Sequence, residues 1–239
     1  MTTNNTKVKR SELKYFINHL NYVDLATRLR HVLTPDSYSS ALSGYRVRSL
    51  YFDSIDEKCL AEKQSGKLYR QKYRIRIYNK DSATAKFEIK HKLNSQIYKE
   101  TATISRASAI EIINGNYQEL LKYNNPILER IYVEFVSKYY KPKVVVDYLR
   151  DAFVYDMFNI RITIDKDVRS NSNSFDIFSD NLHLVPIFET KRHILEVKFD
   201  QVLPDFILNL IQISRFERMA ISKYTLSRRL QKFKQWEDN

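Results

Sequence analysis

Along this chain, charged and apolar residues alternate one by one through several short segments. In Gln71–Tyr78, Arg74 and Arg76 fall on one parity and Ile75 and Ile77 on the other, the period of a strand with two unlike faces. Lys86–Lys90 repeats the pattern, with Glu88 and Lys90 against Phe87 and Ile89, and Ile97–Thr103 continues it with Lys99. The same alternation predicts strands over Arg10–Phe16, Tyr45–Asp53, Arg161–Asp165 and His193–Phe199, and the β-branched run of Lys143–Arg150 predicts another. Elsewhere the spacing turns helical. Helices are predicted over Tyr22–Leu33, opened by Asn21 and closed before Pro35, and over Ile55–Lys63. Ser105 is placed to cap a helix over Ala107–Ile113. Pro126 opens another, running to about Tyr139, with Ile127, Ile131, Phe135 and Val136 as its apolar face. Pro204–Ile213 and a basic helix from Ser222-Lys223-Tyr224 to near Trp236 complete the series, and Asp53 and Asp56 are read as turn caps. Residues 1–8 are expected to be a disordered tail, and 9–236 one domain, because no linker-like stretch divides them.

Half-buried strands ordinarily alternate apolar with small or mixed polar residues, whereas these alternate apolar with full charges. Glu12, Lys14, Arg48, Arg74, Arg76, Glu88, Lys90, Lys99, Arg150, Arg161, Asp165, Glu196 and Lys198 are assigned to the charged faces, and Lys223 joins them. Leu13, Val47, Ile75, Ile77, Phe87, Ile89, Ile160, Ile162, Ile164, Leu195, Val197 and Phe199 are assigned to the opposite faces and need cover, which amphipathic helices supply. With helices on that side the charges face inward, and closing the sheet removes its edges. The expected architecture is therefore α+β: a closed eight-stranded antiparallel β-barrel with helices packed outside and a charged lumen. The alternative is a solvated sheet face laced with cross-strand ion pairs.

Composition narrows what such a lumen would hold. Lys plus Arg number 40 and Asp plus Glu 28, a formal net charge of +12, which points to an anionic partner. The chain has 3 glycines, too few for a P-loop or Rossmann phosphate cradle, so anion binding must use side chains. The single Cys59 excludes an internal disulfide and a cysteine metal cluster. No apolar run reaches transmembrane length and no signal peptide opens the sequence, so a cytoplasmic protein without a transmembrane segment is expected. Despite 17 tyrosines, no RNA-binding motif accompanies the bases, and nucleic acid is not expected as a partner. Uncompensated like charges at lumen distances are costly, so the ligand is expected to be a linear polyanion such as a phosphate chain.

Four acids among ten bases on these faces need a separate explanation. A carboxylate repels phosphate unless a divalent cation bridges them, and Mg²⁺ and Mn²⁺ prefer oxygen ligands. Glu196 is the first candidate ligand, with Glu12, Asp165 and Glu88 as helpers.

Eight short motifs, in order, carry a family resemblance: Arg10-x-Glu12-x-Lys14-Tyr, Arg48-Ser-Leu-Tyr-Phe-Asp53, Arg74-x-Arg76-x-Tyr78, Phe87-Glu-Ile-Lys90, Tyr148-x-Arg150, Arg161-x-Thr-x-Asp165, Glu196-x-Lys198 and Ser222-Lys223-Tyr224. From about residue 8 to 230 the chain resembles the VTC domain, the polyphosphate polymerase domain of the vacuolar transporter chaperone complex and its bacterial relatives. That family belongs to the triphosphate tunnel metalloenzymes, whose tunnel is an eight-stranded antiparallel β-barrel. The related CYTH branch opens with Glu-x-Glu-x-Lys, whereas the first of those positions here is Arg10. The eukaryotic members also carry an SPX domain and transmembrane helices, which this sequence lacks and which leaves room for a membrane partner protein.

The resemblance implies a metal-dependent polymerase that moves the γ-phosphoryl of ATP onto polyphosphate, with Mn²⁺ or Mg²⁺ as cofactor. Arg74, Arg76, Lys90, Lys99, Arg150 and Arg161 are expected to neutralise phosphate oxygens and stabilise developing charge. Lys14, Arg48, Lys198 and Lys223 are expected to bind nucleotide phosphates or the acceptor end, and Glu196, Glu12, Asp165 and Glu88 the metal. Two alternatives share the tunnel: hydrolysis of tripolyphosphate or a nucleoside triphosphate, and polyphosphate binding without turnover.

Overall fold

The computed structural model describes residues 10–38, 44–94 and 96–237, so the expected tail of residues 1–8 lies outside the described residues. In chain order the strands are β1 (Arg10–Asn18), β2 (Thr34–Pro35), β3 (Tyr45–Asp53), β4 (Tyr69–Ile77), β5 (Thr84–Leu93), β6 (Gln96–Ser105), β7 (Lys141–Tyr155), β8 (Ile160–Asn171), β9 (Val185–Pro186) and β10 (Arg192–Asp200). The α-helices are α1 (His19–Val32), α2 (Lys58–Gln64), α3 (Arg106–Ile113), α4 (Pro126–Ser137), α5 (Asp205–Ile211) and α6 (Lys223–Glu237). The chain divides into two compact units. The described residues of Met1–Tyr45, Leu149–Asp167 and Thr190–Ile221 make the first; Arg46–Tyr148, Val168–Glu189 and Ser222–Asn239 supply the second.

In the first unit the hydrogen-bonded strand order is β1-β10-β8-β7, with β2 pairing β7. One face of this sheet is apolar and packs under two helices. Tyr15, Ile17, Ile162, Ile164, Leu195 and Val197 form a buried cluster with Leu25 and Leu29 of α1 and Ile207 and Ile211 of α5. Each such side chain contributes about 1.5–3 kcal/mol of burial. α1 starts earlier than its spacing predicts, because the Asn18 side chain accepts a hydrogen bond from the Asn21 amide at 2.8 Å and caps it. It stops at Val32 because Thr34 precedes a proline and pairs with β7 as a strand.

The second unit has the order β7-β3-β4-β5-β6, β7 running through both units. Its core is a ring cluster around Phe135 of α4, whose centroid lies 5.1 Å from Phe52, 5.4 Å from Tyr73 and 4.8 Å from Tyr140. α4 is rolled from its predicted orientation. Leu128 joins Ile131 and Phe135 in the core, while Val136 is 49% exposed. Asn125 caps this helix by accepting from the Ile127 amide at 2.9 Å.

The registers of β1 with β10, β10 with β8, β2 with β7, β3 with β4, β4 with β5, β5 with β6 and β8 with β9 are antiparallel, and eight strands lie on one pairing path. The closed barrel expected from the sequence is not what this pairing gives. Among the described residues the path ends at β1 and at β6. On β1 the Lys14 carbonyl accepts from the Met219 amide at 2.9 Å, and Tyr15 forms an isolated bridge with Arg218. No helix among the described residues is long and apolar enough to cross a membrane.

Candidate functional site

The second unit concentrates positive charge on one face of β4, β5 and β6. Arg74 stands opposite Glu88, Arg76 opposite Lys86, and Lys72 opposite Lys90, which in turn stands opposite Lys99. Opposed residues of an antiparallel pair project to the same side, so the predicted Arg74, Arg76, Glu88, Lys90 and Lys99 do share a face. Glu88, 1% exposed, holds the cluster together. It accepts from Arg74 Nε at 2.6 Å and Lys99 Nζ at 2.7 Å, with Arg76 at 3.8 Å. Burial alone would raise its carboxyl, but the charges of Arg74, Arg76 and Lys99 win and hold it well below the usual carboxylate range.

Lys72 was not among the residues singled out from the sequence, although it shares the parity of Arg74. Its ammonium donates to Ser222 Oγ at 2.7 Å, just before α6. Lys223, the first residue of α6, sets its ammonium 4.6 Å from the centre of the Tyr148 ring. By register Arg70, Lys72, Arg74, Arg76, Lys86, Lys90, Lys92 and Lys99 share this face with Glu88. Lysines directly opposed across strands repel, and a bound anion would relieve that repulsion.

Arg48 does not belong to this face. It is in register with Ile77, whereas its neighbours Ser49 and Tyr51 are in register with Arg76 and Arg74. The assignment of Arg48 to the charged face and Val47 to the apolar one is therefore reversed. Arg48 donates to Asp147 at 2.7 Å and to the carbonyls of Ile177 and Ser179, and lines a cleft of about 420 Å³ with Arg46, Tyr78 and Lys80. Asp53 caps a turn as expected, and does more: it accepts from the amides of Ser54, Cys59 and Leu60 and from the Tyr224 hydroxyl, tying α2 and the start of α6 to the end of β3.

The charged face of the first unit is balanced rather than basic. Across β1 and β10, Lys14 is in register with Glu196 and Glu12 with Lys198, a checkerboard of two bases and two acids. Lys14 Nζ lies 3.1 Å from both Glu12 and Glu196, and Lys198 Nζ lies 2.5 Å from Glu196. Burial opposes the charge on Lys14, yet Glu196 and Glu12 overcome it and raise the ammonium above its ordinary range. For Lys198 burial prevails, with Arg150 adding to it against Glu196 and Glu12, and the group is lowered. Arg150 makes a bidentate pair with the fully buried Asp165, at 2.6 and 2.9 Å. Arg161 donates to the Tyr45 hydroxyl at 3.1 Å and pairs with Asp36, an acid that sequence reading missed. In this unit Lys14, Lys198, Arg150 and Arg161 are matched by Glu12, Glu196, Asp165 and Asp36.

Among the described residues no three His, Cys, Asp or Glu side chains form a ready metal cage. Glu12 and Glu196, which share Lys14 as a partner, offer an oxygen-only pair. That donor set fits Mg²⁺ or Mn²⁺, which are commonly held by one or two carboxylates plus substrate phosphates. Glu88 and Asp165 instead hold arginines.

Antiparallel sheet, covering helices and densely charged strand faces define the class of fold. Residues 9–231 match the family model described as VTC domain, and the chain belongs to that family. Among solved structures it is similar to HpAC1 from Hippeastrum, whose structure report gives it a dominant triphosphatase activity, with 12% identity, a TM-score of 0.58, and coverage of 92% of this chain and 95% of that one. A Bacillus halodurans protein assigned as an adenylate cyclase matches at 15% identity and a TM-score of 0.49, covering 90% of this chain and 95% of that one. The Mimivirus capping enzyme triphosphatase matches at 12% identity and a TM-score of 0.39, covering 87% of this chain and 91% of that one. No curated protein matches the sequence.

Proposed function

We propose that this chain is a metal-dependent polyphosphate polymerase, transferring the γ-phosphoryl of ATP onto a growing phosphate chain. The observation that carries this reading is the face of the second unit, where eight bases of β4, β5 and β6 share one side of the sheet with the buried carboxylate of Glu88. Such a face suits a substrate with several adjacent negative charges better than one with a single phosphate. Family membership supports the same substrate class.

Arg74 and Arg76 bind and orient phosphoryl oxygens and stabilise the charge that shifts onto them during transfer. Lys90, Lys99 and Lys223 hold the flanking phosphates. In the first unit Arg150 and Arg161, oriented by Asp165 and Asp36, act on phosphate oxygens in the same way, and Lys14 and Lys198 bind nucleotide phosphates or the acceptor end. Glu12 and Glu196 would hold Mn²⁺ or Mg²⁺, which when bound supplies positive charge to neutralise phosphate oxygens. The terminal phosphate of the acceptor is already an anionic nucleophile, so no general base is assigned. Arg48 is left out of the machinery, because it lies on the other side of its strand and is held by Asp147.

The test is purified protein with ATP and Mn²⁺, then Mg²⁺, with products resolved by gel and by orthophosphate release. A ladder of phosphate polymers supports the polymerase, and its absence with either metal overturns it. A second reading, hydrolysis of tripolyphosphate or a nucleoside triphosphate, draws on the similarity to HpAC1 and its reported triphosphatase activity. Orthophosphate without polymer would establish that reading. Tight polyphosphate binding with neither product would leave a binding module.

A further inference from the structure

Tyr51 sits at the middle of the basic face of the second unit, in register with Arg74 across β3 and β4. Its ring is buried, at 7% exposure, and packs 5.4 Å from the Tyr224 ring. Its hydroxyl oxygen accepts from Arg74 Nη1 at 3.0 Å. Arginine can only donate, so the phenolic hydrogen must go elsewhere, and among the described residues none accepts it. The charged groups around it are Arg74 and Arg76 of β4 and Lys223 of α6, with Glu88 of β5 beyond Arg74 and the phenols of Tyr148 and Tyr224 nearby. A buried hydroxyl with an unused hydrogen is costly, and acceptors that suit a ring of cations are anionic.

We propose that Tyr51 is a substrate-binding residue, donating its phenolic hydrogen bond to a phosphate oxygen that Arg74, Arg76 and Lys223 hold electrostatically. This rests on the reading of the face as a phosphate-chain site. Arg74 presents the phenol by occupying its oxygen, and the Tyr224 ring fixes its plane. The phenol must be neutral to act, because a phenolate has no hydrogen to give and repels phosphate. The neighbouring cations pull the phenol below its ordinary range against the effect of burial, so binding would be lost towards alkaline pH sooner than an ordinary tyrosine predicts.

The experiment is calorimetric titration of the full chain with tripolyphosphate, comparing wild type with Tyr51→Phe, which keeps the ring against Tyr224. At pH 7 the variant is expected to bind roughly ten- to a hundredfold more weakly, the range for a hydrogen bond to a charged group. On raising the pH, wild type loses affinity in a step that Tyr51→Phe lacks, a readout that a purely structural role for the phenol would not produce. Equal affinity and equal pH dependence in the two proteins would overturn the proposal. Wild type that fails to bind tripolyphosphate at all would overturn the phosphate-chain reading, and this proposal with it. Should Tyr51→Phe not fold, 3-fluorotyrosine at position 51, a more acidic phenol, must move the alkaline loss to lower pH; an unmoved profile overturns the assignment.

Discussion

Arg74 Nε and Glu88 Oε2 meet at 2.6 Å across directly opposed positions of β4 and β5. Glu88 also holds Lys99 and lies near Arg76, so a single acid organises three bases. Glu88→Gln is expected to destabilise the protein by about 3 kcal/mol at neutral pH, the scale for removing one partner of a buried pair. The sign with pH follows from the depressed carboxyl. Its stabilisation is present above the unfolded value of about 4.3 and fades as pH falls below it towards the folded value. Denaturant unfolding of wild type between pH 7 and 3 should show that loss, and the variant should show a smaller one. Adding tripolyphosphate at pH 7 should recover part of the lost stability, because it replaces the missing negative charge.

Glu196 accepts from Lys14 and Lys198 and shares Lys14 with Glu12. Glu196→Gln is expected to keep the fold, since its amide oxygen can still accept from Lys198 while Lys14 keeps Glu12 as a partner, and to lower metal-dependent turnover by about a hundredfold or more. Activity measured across a Mn²⁺ titration checks this. Turnover and metal dependence unchanged from wild type would remove Glu196 from the metal site.

Lys72 faces Lys90 in register and donates to Ser222. Lys72→Ala is expected to weaken polyphosphate binding and reduce the slope of log affinity against log salt by about one, the signature of one lost phosphate contact. Fluorescence binding curves at several salt concentrations would show it. An unchanged slope would make Lys72 a structural partner of Ser222.

Asp53 is fully buried and accepts three backbone amides and one hydroxyl. Asp53→Asn leaves at least one of those donors facing an amide nitrogen and is expected to cost about 2–4 kcal/mol. The check is a lower denaturation midpoint with an unchanged slope.

His193 lies 3.2 Å from His19 in the first unit, and burial, His19 and Lys166 together lower its ring to about 4. The unfolded chain takes up that proton near its ordinary value of about 6.5. Stability should therefore fall as pH drops from about 6.5 to about 4. His193→Phe, which keeps a ring beside Tyr22, should flatten that part of a melting-temperature profile; a variant profile parallel to wild type would rule the histidine out as its source.

Period-two alternation located seven of the eight long strands, β7 being read from its β-branched run, and most residues of both charged faces, because charge and apolarity separate cleanly by parity in β1, β4, β5, β8 and β10. It failed in β3, and the reason is visible there. Val47 and Tyr51 occupy one parity and Leu50 and Phe52 the other, all four of them buried, so periodicity alone does not say which way Arg48 points. Register with β4 decides it. Val136 was misplaced in α4 for a related reason: Leu128 and Val136 both border its apolar stripe, and packing around Phe135 chose between them.

The sequence by itself determined the elements, the family and the excess of positive charge, because these rest on local spacing, motif order and composition. Only the tertiary structure decided which acid meets which base. Glu88 is enclosed by arginines and a lysine, Asp165 is taken by Arg150, and Glu12 and Glu196 alternate with lysines. Only strand register brought Arg48 to Asp147, 99 positions along the chain. That register is a property of the folded sheet, where a slip of one residue exchanges the two faces.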